Sequence, residues 1–382
     1  MRPAPQIPAK VDRSNSVFVE STVHARLPEI VRSIEQDLQL RGCADQVWAM
    51  WQAMEREQAM DLGLFAPTGS FWRSYLAQWP EPTWQGLPFF DLEFLFYHAI
   101  NSLTGYWSDG FDVFARNKTA ALNVAIANER AGLERVLLVA QARDSLRGAI
   151  TGALLGNQAD LSQLAYLQGQ STGAQSRLLL DEGEVLLARL LDAKCDVIHL
   201  LLDNAGAELC FDLALVDALL RFTRAQIVLH AKPCPMFVSD ALPKDVRQAI
   251  SALQQAGADL AVCGQRLTAA LVEERLVLCA EPDWGEPRDF SNLSSALALE
   301  LTVADVVIAK GDLNYRRFLE DRMWPVDTRP DVATAKIPFR AFCLRVLKSD
   351  VMVGLDAETV ARAQASDPKW RTSGQFAIIQ HL

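Results

Sequence analysis

From about residue 175 onward, short and nearly unbroken apolar runs alternate with amphipathic stretches, and most runs stop at a polar residue. The runs are Leu178-Leu179-Leu180-Asp181, Val197 to Asp203, Ile227 to His230, Leu276 to Ala280, Val306 to Lys310 and Phe342 to Leu347. Strands that are apolar along their whole length have to be covered on both faces. The pattern therefore predicts a mostly parallel sheet between helical layers, a three-layer α/β/α fold of the α/β class. The chain before this point reads differently. From Val23 to Ile150 the apolar residues recur mainly at helical spacing, as in Asp91 to Ile100 and Lys118 to Ala127. The expected organisation is a mainly helical N-terminal region over 1–172, followed by an α/β/α domain over 173–382. The first ten residues carry three prolines and predict extended or disordered chain.

In such a sheet, ligands bind outside the carboxyl ends of the strands, so the residues just after each run are those that can carry chemistry. The second run ends in Asp203-Asn204-Ala205-Gly206-Ala207-Glu208. Neighbouring side chains on a strand point to opposite faces, so Asp203 and Asn204 converge only where the strand becomes a turn, and Gly206 gives the backbone that freedom. The third run ends at His230 and leads through Lys232, Pro233 and Pro235 to Asp240. If the two strands are neighbours, Asp203, Asn204 and Asp240 meet over the sheet edge. An all-oxygen set of this kind suits a divalent ion such as Mg²⁺ or Mn²⁺. The same residues also read as N-caps of the helices that follow. Glu208 either faces a ligand or complements the helix dipole. A later run ends in Lys310-Gly311-Asp312-Leu313-Asn314-Tyr315-Arg316, where a lysine, a glycine and a helix start make a candidate phosphate seat. It is not a P-loop, which needs a different glycine spacing. Arg345 and Lys348 bring two more cations to the same edge, as ligand contacts or as a solvated pair.

Composition removes other classes. A net charge of -10 argues against a nucleic-acid partner, since phosphate backbones are held by Lys and Arg. The N-terminus has no apolar leader and no run reaches membrane-spanning length, so a cytoplasmic protein with no membrane partner is expected. Nothing announces an obligate protein partner. The seven cysteines form no C-x-x-C pair and read as buried free thiols. The five histidines show no metal spacing, and His199, inside an apolar strand, reads as a core residue. Phosphatases with an aspartyl nucleophile need Asp-x-Asp after the first strand, but Ala205 stands two residues after Asp203. No G-x-G-x-x-G follows a strand, which disfavours a dinucleotide site.

At these residues the sequence resembles the damage-control phosphatase family, long catalogued as a domain of unknown function. The likeness is to the subgroup of acidic-residue methyltransferase-like proteins. It rests on Leu155-Gly156-Asn157 with Ala159 to Ser162, Asp203 to Glu208 with Asp212-Leu213, and His230-Ala231-Lys232 with Phe237 to Asp240. It continues through Lys310 to Tyr315, Trp324-Pro325, Arg345 to Lys348 and Ser373 to Ile379, with weaker blocks at Glu93 to Tyr97 and Asp112 to Lys118. The resemblance implies a divalent metal (Mn²⁺, Co²⁺ or Ni²⁺) on Asp203, Asn204 and Asp240. It also implies hydrolysis of sugar phosphates such as fructose 1-phosphate and fructose 6-phosphate, with substrate contacts on Asp312 to Arg316 and on Lys348. The chain departs from the subgroup at Val346, where its Arg-Thr-x-Lys signature has threonine, and at Val113 and Met236.

The expected function is thus a metal-dependent phosphatase acting on a small phosphorylated metabolite, with Lys310, Arg316 and Lys348 neutralising phosphate charge. Whether a water or the Asp203 carboxylate attacks phosphorus stays open. A second reading, also implied by the subgroup, is an S-adenosylmethionine-dependent protein carboxyl methyltransferase with Glu208 and Asp240 at the cofactor. A third is a sugar-phosphate binder without turnover.

Overall fold

The structure is a computed structural model that describes residues 7–65, 70–78, 82–139, 141–156 and 177–382. The family-like block at Asn157 and Ala159 to Ser162 lies outside the described residues. No helix among the described residues is long and apolar enough to cross a membrane.

In chain order, a short helix α1 (Val17–Ser21) runs into a π-helical turn, Thr22–Arg26, and then into further helix. A long buried helix, α2 (Phe89–Thr104), is followed by α3 (Ala115–Asn128), α4 (Arg130–Leu137) and α5 (Ala142–Leu155). The sheet begins with β1 (Leu178–Asp181) and continues with β2 (Val197–Leu201), helix α6 (Ala207–Phe222), β3 (Gln226–His230) and helices α7 (Pro243–Gln255) and α8 (Ala258–Val272). Then come β4 (Leu276–Cys279), α9 (Ser295–Val303), β5 (Val306–Lys310), α10 (Gly311–Phe318), β6 (Phe342–Val346) and β7 (Ala377–His381).

The seven strands form one sheet in the order β1-β7-β6-β5-β2-β3-β4. Every pairing is parallel except β6 with β7. Strands β2 to β6 therefore present their carboxyl ends at one edge, while β1 and β7 run the other way. The apolar runs mark six of the strands. The seventh, β7, is not among them, and its reversed direction has no counterpart in the hydrophobic pattern.

Alternate residues of each central strand feed two different cores, as the period of two requires. Ile198, Leu200, Ile227, Leu229 and Ile308 pack with α3 to α8 on one face, whereas Leu201, Val307, Ala309 and Cys343 pack on the other with Phe290, Leu301, Phe318 and Trp370. Helices α3 to α5 thus share a core with the sheet although they precede it in the chain. A third core gathers the helices from Val19 to Phe114. It reaches the sheet edge through Cys234 and Met236 in the loop beyond β3 and through Leu313 in the first turn of α10. Met236, one of the departures from the family pattern, is thus a buried packing residue here.

The N-terminal segment is stitched to distant chain. The Val11 N–H donates to Asp321 O (2.7 Å), the Phe89 N–H to Val11 O (2.8 Å), and the Ser16 hydroxyl to Asp350 Oδ2 (2.5 Å).

Candidate active site

Strand β2 lies between β5 and β3, so the chain leaves it toward opposite sides of the sheet and opens a crevice at its carboxyl end. Two backbone hydrogen bonds lock the loops that flank this crevice. The Ala205 N–H donates to Ser239 O (2.6 Å) and the Ala241 N–H to Asp203 O (2.9 Å), and Asn204 and Asp240 pair as an isolated antiparallel bridge. The three oxygen-bearing residues expected at a metal are thus brought together by main chain. The loop that delivers Asp240 is bent hard: Phe237 and Val238 both have positive φ, 47° and 69°. For a β-branched residue such as Val238 this backbone conformation costs on the order of 1–3 kcal/mol.

Glycine is needed twice. Gly206 has φ 79° and ψ -136°, a combination that side chains disfavour, where the turn after Asp203 enters α6. Gly311 has φ 81°, and a Cβ placed on it would lie 1.9 Å from Asp203 Oδ2. The residue after β5 must therefore be glycine for the Asp203 carboxylate to stand where it does.

Asn204 is oriented at both ends of its amide. Its Nδ2 donates to Asp203 Oδ2 (2.8 Å) and Glu208 Oε2 (3.0 Å), and its Oδ1 accepts from the Ser239 hydroxyl (2.5 Å). Burial, then the nearby carboxylates of Glu208 and Asp240, hold the Asp203 carboxyl well above its ordinary range. Burial also raises Asp240, and Lys232, whose ammonium stands 3.3 Å from its Oδ2, offsets this only in part. That same Oδ2 is buried and accepts no hydrogen bond. Two desolvated carboxyls that share the charge of one lysine, beside an amide oxygen, fit a hard divalent cation.

The expected substrate residues divide. Asp312, Leu313, Arg316 and Lys348 line a cavity of about 130 Å³ together with Asp203, Asn204, Asp240, Glu93, Phe237 and Ser239. Asp312 Oδ1 accepts from Arg345 Nε (2.7 Å) and from the Lys348 N–H (3.1 Å), which fixes the backbone that carries the Lys348 side chain. Arg316 is committed to Glu93 and Asp321, each at 2.7 Å. Lys348 is exposed and makes no ion pair or side-chain hydrogen bond among the described residues.

Other residues stand away from the cavity wall. The expectation that Lys310 seats a phosphate is corrected by its surroundings. Its buried ammonium lies 2.8 Å from Glu208 Oε1 and 2.9 Å from Asp212 Oδ1, and donates to Ala153 O (2.6 Å). Lys310 is an internal counter-ion, and Glu208 is its partner rather than an open ligand contact. Burial works against the charge on Lys310, but Asp212 and Glu208 outweigh it. Asn314 Nδ2 turns back to Lys310 O (2.9 Å), the Tyr315 hydroxyl donates to Gln380 Oε1 (2.8 Å), and Arg345 is buried against Val351, Ser349 and the Tyr315 ring. These three position the loops and do not reach the cavity. Val346 faces the core beneath α5, so its missing hydroxyl is not a lost wall contact.

Some contributors escaped the strand-end logic. Lys118 pairs with Asp112 (2.6 Å) and Asp245 (2.5 Å) and donates to Asp240 O (3.4 Å), so the weak block from Asp112 to Lys118 braces the Asp240 loop. Phe18 and Arg26, from the N-terminal helices, also line the cavity. Nothing in their local sequence signals this.

A second group of metal-capable side chains, His199, His230 and Glu300, has donor atoms all within 4.8 Å of one another. The histidines sit 31 residues apart, so sequence spacing hides the pair. Trp284 Nε1 donates to His230 Nδ1 (3.3 Å), which leaves His230 Nε2 to donate to His199 Nδ1 (2.7 Å). Burial lowers His199 to about 4 and, with His199 adding to the effect, His230 to about 3, so both are neutral and satisfied by this chain of hydrogen bonds. This agrees with the reading of His199 as a core residue.

Comparison with known proteins points the same way as the geometry. A sequence model described as the damage-control phosphatase ARMT1-like domain matches residues 22–363. Damage-control phosphatase ARMT1 of Xenopus laevis is 28% identical over 358 residues, covering 85% of this chain and 81% of that protein. The Danio rerio protein of the same name is 31% identical over 265 residues, 63% of this chain and 58% of its own length. Among solved structures, a DUF89 family protein from Pyrococcus horikoshii superposes with a TM-score of 0.53 at 15% identity, over 97% of this chain and 99% of that one. That likeness is one of fold.

Proposed function

Because this chain belongs to the ARMT1-like damage-control phosphatase family, whose members act on damaged metabolites, we propose that it is a metal-dependent phosphatase of small phosphorylated metabolites, sugar phosphates foremost. The observation that carries the proposal is the meeting of Asp203, Asn204 and Asp240 with an unpaired Lys348 around one polar cavity. Asp203, Asn204 and Asp240 would hold the divalent cation, with Mn²⁺ first and Co²⁺, Ni²⁺ or Mg²⁺ as alternatives. When bound, such an ion supplies Lewis-acid charge at the phosphoryl oxygens. Ser239 and Glu208 keep the Asn204 amide in one orientation, and Lys118 and Lys232 hold the Asp240 loop and carboxylate. Lys348, tied through its backbone to Asp312, brings a mobile ammonium to the anionic end of the substrate.

The cavity is smaller than the 300–1,000 Å³ that usually encloses a drug-sized ligand, and its walls are polar, so it fits a phosphate head rather than a whole apolar molecule. Glu208, engaged by Lys310 and Asn204, is poorly placed to bind a methyl-donor cofactor. The test is phosphate release from fructose 1-phosphate, fructose 6-phosphate and an aryl phosphate, with added Mn²⁺ and after chelation. Release that depends on the metal is expected; binding of these compounds with no release under either condition would leave a binder without turnover.

Lys348→Ala is expected to raise KM for all three substrates and to lower kcat/KM by about ten- to a hundredfold, the value of one charge-assisted hydrogen bond of roughly 1.5–3 kcal/mol. Steady-state kinetics check this, and unchanged constants would mark Lys348 as a solvated surface residue.

A further inference from the structure

The side of the cavity facing the sheet edge is made by the first helices of the chain, to which no role in the chemistry has been given. Phe18 in α1 and Arg26 at the end of the π-helical turn both stand on its wall. In an unbroken α-helix two residues eight positions apart point about 80° away from each other. Here the turn between them closes with the Leu27 N–H on Thr22 O, an i to i+5 bond. The wider turn takes up part of that rotation and brings Arg26 toward the face that carries Phe18. Single π-helical turns are uncommon and concentrate at functional sites.

Charge bookkeeping around the cavity separates its cations. Arg316 is neutralised by Glu93 and Asp321. Arg26 and Lys348 are the lining cations that make no ion pair or side-chain hydrogen bond among the described residues. Both are exposed, and they come from opposite halves of the chain. The cavity floor is rich in carboxylates (Asp203, Asp240, Asp312 and Glu93), so an anion entering it needs positive charge from the rim. A guanidinium suits this because its planar fork can meet two oxygens of a phosphate at once.

We propose that Arg26 is a substrate-binding residue that takes the outer phosphoryl oxygens of the phosphate monoester, opposite Lys348. This rests on the phosphatase reading only for the identity of the ligand, because an oxyanion-binding rim can be measured without turnover. The substrate is thereby gripped between the sheet edge and the N-terminal helices, and the segment from Phe18 to Arg26 belongs to the site.

The test uses the full chain with Mn²⁺ and follows two readouts, the equilibrium binding of inorganic phosphate by calorimetry and steady-state hydrolysis of an aryl phosphate. Arg26→Ala is expected to weaken phosphate binding and to raise KM, each by about ten- to a hundredfold, with a smaller change in kcat. Arg26→Lys should recover part of the loss, whereas Arg26→Gln should not. The melting temperature should stay close to the wild-type value, since Arg26 is exposed and makes no ion pair or side-chain hydrogen bond among the described residues. Arg26-dependent phosphate binding in a protein that hydrolyses nothing would uphold the proposal and remove the phosphatase reading. Hydrolysis and phosphate binding that are both unchanged in Arg26→Ala would overturn the proposal and leave the phosphatase reading standing.

Discussion

Asp203→Asn is expected to reduce phosphate release at least a hundredfold and to leave a folded protein that no longer retains Mn²⁺. The substitution keeps the shape of the side chain and removes its charge. Disturbing residues that merely orient metal ligands already costs ten- to a hundredfold in affinity or activity, so losing a charged ligand sets that as a lower bound. The effect on stability should have the opposite sign. In the metal-free protein the Asp203 carboxyl is desolvated and faces Glu208 and Asp240, whose repulsion the more distant charges of Lys232 and Lys348 offset only in part, and it makes no ion pair among the described residues. A neutral amide of the same size relieves that repulsion, and Asn204 Nδ2 can turn its hydrogen bond wholly to Glu208. The metal-free Asp203→Asn protein should therefore melt no lower than metal-free wild type, while only wild type gains stability from added Mn²⁺. Wild-type turnover with wild-type metal content would show that Asp203 is not a metal ligand.

Lys310→Met is expected to cost about 3–5 kcal/mol of folding stability, the usual consequence of stranding a buried charge. Two carboxylates would lose their shared partner, since Glu208 and Asp212 lie 2.8 and 2.9 Å from the ammonium. Asp212 is already pushed up to about 7 by burial, even though Lys310 opposes the shift. A carboxyl whose folded pKa is raised favours folding below its unfolded pKa, and that advantage is lost as pH rises through the folded value. The loss in Lys310→Met should accordingly be largest near pH 8 and shrink toward pH 5, where the stranded acids can take up protons. Urea melts at the two pH values measure this directly. A loss below about 1 kcal/mol at pH 8 would show that Lys310 is not the counter-ion of this pair. Lys310→Met combined with Asp212→Leu should recover much of the stability, because replacing a whole buried pair by apolar groups is often close to neutral.

The sheet and the crevice at its edge were legible because strands covered on both faces leave apolar runs, and the segments after two of those runs carry Asp203, Asn204 and Asp240, which the loops bring together. What the pattern does not encode is which strands run backwards. The Ala377–His381 strand is defined by its pairings, antiparallel with Phe342–Val346 and parallel with Leu178–Asp181, and these reverse both β7 and β1. Lys310 was legible as a strand-end cation but not as a buried counter-ion. A signal for that was present, since Glu208 and Asp212 stand four apart on one helix and so share a face. That arrangement can receive one lysine between two acids. Arg26 and Phe18 left no such trace. Their place at the cavity depends on how one helical core docks against the loop at Met236 and the helix start at Leu313, and docking between distant segments has no local periodicity.

The stitching of the N-terminal segment to residues near 321 and 350 has a consequence for how the protein is made. Ser16 and its partner Asp350 are separated by 334 residues. At about 5–20 residues per second, a ribosome needs roughly 20–70 s to travel from one to the other. The segment carrying Phe18 and Arg26 is thus the first to emerge; it can pack on Phe89 early, but its ties to Asp321 and Asp350 form only late. Through that interval Asp203 and Asp240 can already be joined by their loops, which lie close together in the chain. A nascent chain, or one cut short before Asp350, can therefore bring Asp203 and Asp240 together before the Ser16 tie to Asp350 exists.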